Sequence, residues 1–369
     1  MSARGCVGFA LALCAYSPSV FAQESARTVS LVATGDLLVH RRVVEVATHQ
    51  RAQGGLRWML QSMHDAITEE DIAYANLESP LTERVRPPAN STPPVLGAPE
   101  AYGEELAATG FDLLGLANNH AFDQGGDGLA STLATLSALH VATAGAGVSE
   151  QEAQRATVVT RGPVRVAFVS ATDRMNNGPA PNRAGVRVFM ANTRALESAL
   201  ERARLNAEVV VLAMHWSRDF AAQPTAAQRA LARQLVRWGA DVILGTGPHI
   251  LQSVERLSSA RGDAVCAYSL GNLLSNQGYR YRAGQTLTPA MLRSALDHPG
   301  TRDVVLLRVG LTLARGRIAI APLTAHAFWN SNDGDDLRLV SLTNVAPALR
   351  QERAAAMARA LGPSVMLVP

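Results

Sequence analysis

What the chain lacks narrows it first. It has no lysine: all 34 basic residues are arginine, set against 31 acidic ones for a net charge of +3. The arginines form no long run and no stripe interleaved with aromatics, which excludes the concentrated basic face of a nucleic-acid binder. Aromatic residues make up only 5%, so aliphatic side chains must fill the core. Cysteine is nearly missing: Cys6 and Cys14 lie near the N-terminus and Cys266 stands alone beyond them. No disulfide framework can form from that remainder, and stability must come from burial of apolar surface. Cys266 sits inside the strand-like run Ala264 to Tyr268 and reads as a buried, inert thiol. An apolar run of the roughly 20 residues that a bilayer-spanning helix needs is absent as well.

The N-terminus reads as an address. Arg4 supplies a short positive region, Val7 to Ala15 an apolar one, and Ser19-Val20-Phe21-Ala22 a small-residue cleavage pattern. Cleavage after Ala22 is expected, which makes residues 1–22 a signal peptide and the mature protein periplasmic or secreted, without a transmembrane segment. Leu13 precedes Cys14, where a lipid-attachment signal requires a small residue.

What is present points to an α/β fold. The chain is 47% hydrophobic over 369 residues, enough for a sizeable core. Strand-like runs alternate with helix-like ones. Leu129, Leu133, Leu136 and Leu139 follow helical spacing within 128–139. A helix over 193–205 has Asn192 as its cap. Another over 226–238 opens on a Thr225/Gln228 capping box and stops at Gly239. The runs Val166 to Val169 and Val209 to Leu212 are apolar on both faces, as in a sheet covered on both sides. Arg84 to Pro99 and Asn176 to Gly185 read as surface loops. Beyond Asn276 the pattern changes to a hairpin, Val304 to Val309 with Arg317 to Ala321, and a helix over about 346–361. The expected organisation is a main domain over 28–275 and a C-terminal extension over 276–369 packed on it.

The chemistry lies where apolar runs end. Val29 to Ala33 ends in Gly35-Asp36, Ile72 to Ala75 in Asn76-Leu77-Glu78, and Phe111 to Leu114 in Asn118-Asn119-His120 with Asp123 close behind. Val209 to Met214 ends in His215-Trp216, and Val242 to Leu244 in Gly245-Thr246-Gly247-Pro248-His249. Open α/β sheets build sites at the carboxyl ends of their strands. Singly, each residue has a bland reading: Asp36 in an Asx-turn, Asn119 capping a turn, a histidine at the surface. Repeated placement raises the joint odds. The mixed oxygen and nitrogen donors Asp36, Glu78, Asn119, His215 and His249 suit one or two divalent Mn, Fe or Zn ions, with His120 free to act as an acid. Arg41 and Arg218 are candidates for contact with an anionic substrate, or simply pair with nearby acids. His40, His49, His64, His140, His298 and His326 lack the strand-end context, although His40 is near Asp36.

Those motifs resemble, in order, the CapA proteins of capsule and poly-γ-glutamate synthesis, relatives of the calcineurin-like metallophosphoesterases. The matching text is Ala33-Thr34-Gly35-Asp36, Ala75 to Thr82, Ala117 to Gly125, His215-Trp216, Gly239 to Gln252, and Tyr268-Ser269-Leu270-Gly271-Asn272. The resemblance implies a four-layer α-β-β-α sandwich with metal ligands gathered at one edge. It implies that Asp36 and His249 hold a first metal, that Asn119 and His215 hold a second, that Glu78 bridges them, and that His120 is the leaving-group acid. Asn272, in the last motif, is a further candidate for substrate contact. Two departures stand out. Leu38 occupies a position where the wider superfamily has histidine, and Thr246-Gly247 replaces a histidine found in most CapA proteins. Two functions of different class follow. One is an exported metal-dependent hydrolase acting on a phosphoester or an anionic envelope polymer, alongside capsule-synthesis machinery. The other is a non-catalytic, polyanion-binding export or anchoring component built on a degenerate cleft.

Overall fold

The computed structural model describes residues 26–369 except 84, 86–93 and 334–335, so the predicted signal peptide lies outside the described residues. The strands used below are β1 (Arg27–Leu37), β2 (Ile72–Leu77), β3 (Leu113–Gly115), β4 (Ala142–Ala144), β5 (Thr157–Arg161), β6 (Val164–Thr172), β7 (Val209–His215) and β8 (Val242–Thr246). They continue with β9 (Val254–Ser259), β10 (Gly262–Ala267), β11 (Asn272–Leu274), β12 (Asp303–Ala314), β13 (Arg317–Ile320), β14 (Leu323–Asp333), β15 (Asp336–Ser341) and β16 (Val365–Val368). The main helices are α1 (Arg41–His49), α2 (Ala101–Thr109), α3 (Gly125–Ala138), α4 (Thr193–Asn206), α5 (Ala226–Arg237) and α6 (Pro347–Leu361).

The strands form one hydrogen-bonded path in the order β4-β3-β2-β1-β12-β13-β10-β8-β7-β6-β5, with β14 alongside β12 and β11 alongside β1. Strand periodicity turns this path into two facing halves. Alternate residues point to opposite faces, so Val29, Leu31 and Ala33 of β1 share one core with Val209, Val211 and Ala213 of β7. The Tyr74 and Phe168 rings stack across that core with centroids 6.3 Å apart. The other face of the front half, including Val32, Ala73, Ala75 and Leu114, packs against residues of α1, α2 and α3. Val210, Leu212 and Met214 of the back half pack on Leu196, Leu200, Leu235 and Val236 of α4 and α5. The result is an α/β fold in four layers, helix-sheet-sheet-helix.

Local chemistry sets the helix ends. Asn192 accepts a hydrogen bond from Ala195 N at the start of α4, and Thr225 with Gln228 forms the reciprocal capping box of α5. Gly239, with φ of +113°, ends that helix in a conformation glycine alone adopts without strain. The C-terminal hairpin enters the sheet itself: β12 runs antiparallel to β1 from Arg27↔Leu313 to Ala33↔Leu307. Cys266 is enclosed in the α5-side core, and burial raises its thiol pKa. Among the described residues no helix is long and apolar enough to cross a membrane.

One buried ion pair ties α6 to β12: Arg353 Nε donates to Asp303 Oδ1 at 2.9 Å, with both residues about 5% exposed or less. Removing one partner of such a pair strands a charge away from water. Arg353→Ala should therefore cost about 3–5 kcal/mol in urea unfolding. A loss below about 1 kcal/mol would instead be the behaviour of a surface pair.

Candidate metal centre

Register places the site. In the front half, Asp36 is level with Asn76 of β2 and with Asn272 of β11, and Asn76 is level with Gly115 at the end of β3. In the back half, Thr172, His215 and Thr246 are level across β6, β7 and β8. The two rows meet at one edge of the sandwich. Gly35 lets them close: a Cβ there would lie 1.9 Å from the carbonyl oxygen of Gly271, the atom that accepts the N–H of Asp36 at 3.0 Å.

The side chains named from the strand ends converge there. Ligand atoms of Asp36, Glu78 and His215 lie within 4.8 Å of one another, and all are buried. His249 Nδ1 is 3.3 Å from Asp36 Oδ2, and Asn119 Oδ1 is 2.7 Å from His215 Nε2. His120 Nε2 is 3.9 Å from Glu78 Oε1. These residues come from both halves of the sheet, so it is two facing sheets, and not parallel strands of a single one, that gather them.

The electrostatics call for a cation. Burial pushes the Asp36 carboxyl up, but the hydrogen bond from His249, the neighbouring His215 and the Gly247 N–H outweigh it and hold Asp36 below the ordinary range. Burial and the adjacent Asp36 push Glu78 well above its ordinary value. Burial drives His215 down to about 3, leaving a neutral imidazole of the kind that ligates metals. Asp36 is well satisfied, by Gly247 N at 2.9 Å and Asn76 Nδ2 at 2.7 Å. Glu78 is not: both its carboxylate oxygens are buried without a hydrogen-bond partner. An uncompensated buried carboxylate costs several kcal/mol whichever way it titrates. A divalent cation among Asp36, Glu78 and His215 would remove that cost, so the residues fit a metal.

His120 is oriented separately. Its Nδ1 lies 2.6 Å from Asp123 Oδ2, and Asp123 also accepts from Leu96 N and Asn177 Nδ2, each at 2.6 Å. Asn176 Nδ2 is 3.3 Å from His120 Nε2, and Asn176 N donates to Asn119 O at 2.9 Å. Both predicted surface loops thus reach the site, one at Leu96 and the other at Asn176 and Asn177. The asparagine loop follows the end of β6, so the strand-end pattern extends to that strand too. Asn76, which the strand-end pattern includes without making it a candidate ligand, also belongs to the site, two positions before Glu78 and donating to Asp36 Oδ1 at 2.7 Å.

The three candidates for substrate contact lie in different surroundings. Asn272 is fully enclosed: its amide donates to Ser275 Oγ, Gln277 Oε1 and Thr301 O, and its Oδ1 faces His249 Nδ1 at 3.1 Å. It positions His249 and offers nothing to substrate. Arg41 pairs with Glu45 at 3.2 Å on the surface of α1, as its bland reading has it. Arg218 is exposed in a turn with φ of +94°, and among the described residues no contact ties it to the cluster.

Position 247 also behaves differently from a vacant ligand position. Gly247 has φ of +100°, and a Cβ would meet Trp216 O at 2.3 Å. Histidine there cannot be accommodated without moving the backbone whose N–H holds Asp36. Gly247→His should destabilise the protein by about 1–3 kcal/mol and weaken metal uptake, read by thermal unfolding and by metal content. Tighter metal binding at unchanged stability would refute this.

A family profile described as bacterial capsule synthesis protein PGA_cap matches residues 30–277. The PGA biosynthesis protein CapA of Bacillus subtilis (strain 168) is 26% identical over 293 residues, covering 79% of this chain and 70% of that protein. The capsule biosynthesis protein CapA of Bacillus anthracis is 27% identical over 303 residues, covering 80% and 70%. Among solved structures, the 5'-nucleotidase precursor from Thermus thermophilus gives a TM-score of 0.43 at 14% identity, covering 90% of this chain and 59% of that one. The calcineurin-like phosphoesterase YfkN from Bacillus subtilis gives 0.41 at 13% identity, covering 90% and 98%. Those structural likenesses are too distant to carry an argument. The profile match is not: it spans over half the chain and includes every residue of the cluster. This chain belongs to the bacterial capsule synthesis protein PGA_cap family.

Proposed function

We propose that this protein is an exported, metal-dependent hydrolase of phosphoesterase type, working with capsule-synthesis machinery on a phosphoester or anionic envelope polymer. The observation that carries the metal is the pair of buried, unpartnered oxygens of Glu78 beside Asp36 and His215. Asp36, Glu78 and His215 would hold the ion, with His249 and Asn119 adjoining. The mixed carboxylate, amide and imidazole set suits Mn, Fe or Zn. When bound, such an ion polarises a phosphoryl oxygen and makes water a better nucleophile.

The chain's own residues do the rest. Asp123 accepts the Nδ1–H of His120, which orients the ring with Nε2 toward Glu78, and the acid is the imidazolium, which carries a second proton on Nε2. As water adds to phosphorus, the bond to the leaving oxygen breaks with its electron pair. His120 Nε2 then delivers a proton to that oxygen, and the proton lost by the attacking water restores His120. Leu96, Asn176 and Asn177 hold this pair in place. The smaller imidazole set at Thr246-Gly247 favours a second reading, a non-catalytic polyanion-binding component.

His120→Ala should lower turnover of an aryl phosphodiester by about 10²–10⁴-fold while metal content by mass spectrometry stays near that of the wild type. Glu78→Ala should lose metal and activity together. A wild type that takes up no Mn, Fe or Zn and hydrolyses nothing would leave the binding reading in its place. Export should remove residues up to Ala22. N-terminal sequencing of the exported protein checks this, and an intact Met1 in a membrane fraction would rule it out.

A further inference from the structure

Arg174 stands beside the metal centre with donors to spare. It follows the end of β6, where Thr172 is level with His215. Hydrogen bonds tie its stretch of chain to the centre on both sides. Before it, Asp173 N donates to His215 O at 3.2 Å. After it, Asn176 N donates to Asn119 O at 2.9 Å, and Asn176 Nδ2 is 3.3 Å from His120 Nε2. Thr172 Oγ1 donates to Arg174 O at 2.9 Å, which holds the turn between those anchors.

Its partner comes from the facing loop. Arg174 Nη2 donates to Asp219 Oδ1 at 2.6 Å. Asp219 follows His215 in a loop whose Phe220 N donates to Pro248 O at 2.9 Å, next to His249. Arg218 and Phe220, on either side of Asp219, adopt left-handed φ values of +94° and +57°, conformations that cost free energy at residues with side chains. The pair is partly open to solvent, with side chains 32% and 39% exposed, whereas Asp36, Glu78 and His215 beneath are buried. Burial and Asp36 raise the Glu78 pKa, and the charge of Arg174 is near enough to oppose them. A guanidinium carries five N–H donors; here Nη2 serves Asp219, and Nε is buried with no acceptor among the described residues. A buried donor without an acceptor is costly, and an oxyanion of a ligand would supply one. We infer that Arg174 receives an oxyanion of the substrate, a phosphate or a carboxylate, as it enters over Asp36, Glu78 and His215. The guanidinium fork suits both oxyanions. The inference deepens the hydrolase reading and rests on it for what happens at the cluster.

The test is fluorescence anisotropy of the full chain, in buffer containing Mn, with a labelled short oligoglutamate, a labelled short polyphosphate and a neutral oligoglutamine. The wild type should bind an anionic probe, more weakly in high salt, and ignore the neutral one. The anion bound more tightly tells carboxylate from phosphate. Arg174→Ala should weaken that binding roughly tenfold, and Arg174→Glu should weaken it further. Arg174→Lys keeps the charge without the fork and should recover part of it. Thermal unfolding midpoints of all three should stay near the wild-type value, because a partly exposed pair contributes little to stability. Arg165 is the control: its Nη2 also donates to a carboxylate, Glu208 Oε1 at 2.8 Å, but at the opposite end of β6 from Thr172. Arg165→Ala should leave binding unchanged. Binding by both Arg174→Ala and Arg174→Glu within about twofold of wild type, an equal loss in Arg165→Ala, or a wild type that does not prefer an anion overturns the inference. Metal content of the same samples after desalting decides the hydrolase reading separately: a metal-free protein that still loses binding through Arg174 keeps the contact and loses the reaction.

Discussion

Two carboxylates share a water-poor edge where two sheets meet, and only one of them is satisfied. Asp36 is held by the Gly247 N–H and the Asn76 amide, whereas Glu78 has no donor. Much of the surrounding construction serves this asymmetry. The bare backbone of Gly35 lets β1 close against Gly271, which fixes the direction of Asp36. Level registers bring Asn76 to the same row, and the opposing sheet supplies His215 as a neutral imidazole because burial lowers its pKa. A buried like-charge pair of this kind is stable when a cation compensates it and costly when none does.

Around that centre the loops are anchored by single hydrogen bonds rather than by packing alone. Asp123 collects donors from His120, Leu96 and Asn177, so three separate segments converge on one carboxylate. On the other side, His249 adopts φ of +61°, a left-handed conformation that a residue with a side chain adopts at a cost. Asn272 faces its imidazole, and Phe220 N donates to the preceding carbonyl of Pro248. Strain held by well-satisfied neighbours is a frequent mark of a functional position.

The departures from the family text acquire physical content in this setting. Gly247 is a backbone donor to Asp36 in a conformation and a space that admit no side chain. Thr246 stands beside it with Oγ1 3.0 Å from His215 Nδ1. Where the resemblance implies an imidazole, this centre therefore offers a backbone N–H and a hydroxyl. Donor chemistry fits a metal at this edge, with Asp36, Glu78 and His215 as the clustered donor set.

Much was legible in the amino-acid order because the signals are local. An unbroken apolar run marked β7 as covered on both faces, capping chemistry marked α4 and α5, and the polar residues that abruptly end apolar runs marked Asp36, Glu78, Asn119, His120, His215 and His249. What these signals lack is any information about partners far away in the chain. Asn272 looked like a residue free to touch substrate, and only the fold shows its amide already used by Ser275, Gln277 and Thr301. Position 247 looked like a missing ligand, and only the approach of the Trp216 carbonyl shows that no side chain fits. Loop sequences around Leu96 and Asn176 carried turn composition and nothing more, yet both brace the histidine-aspartate pair. Local pattern thus dictates which chemical groups end the strands. Which of those groups face one another is settled by packing, because pairing across two sheets depends on register and close backbone approach that no local pattern encodes.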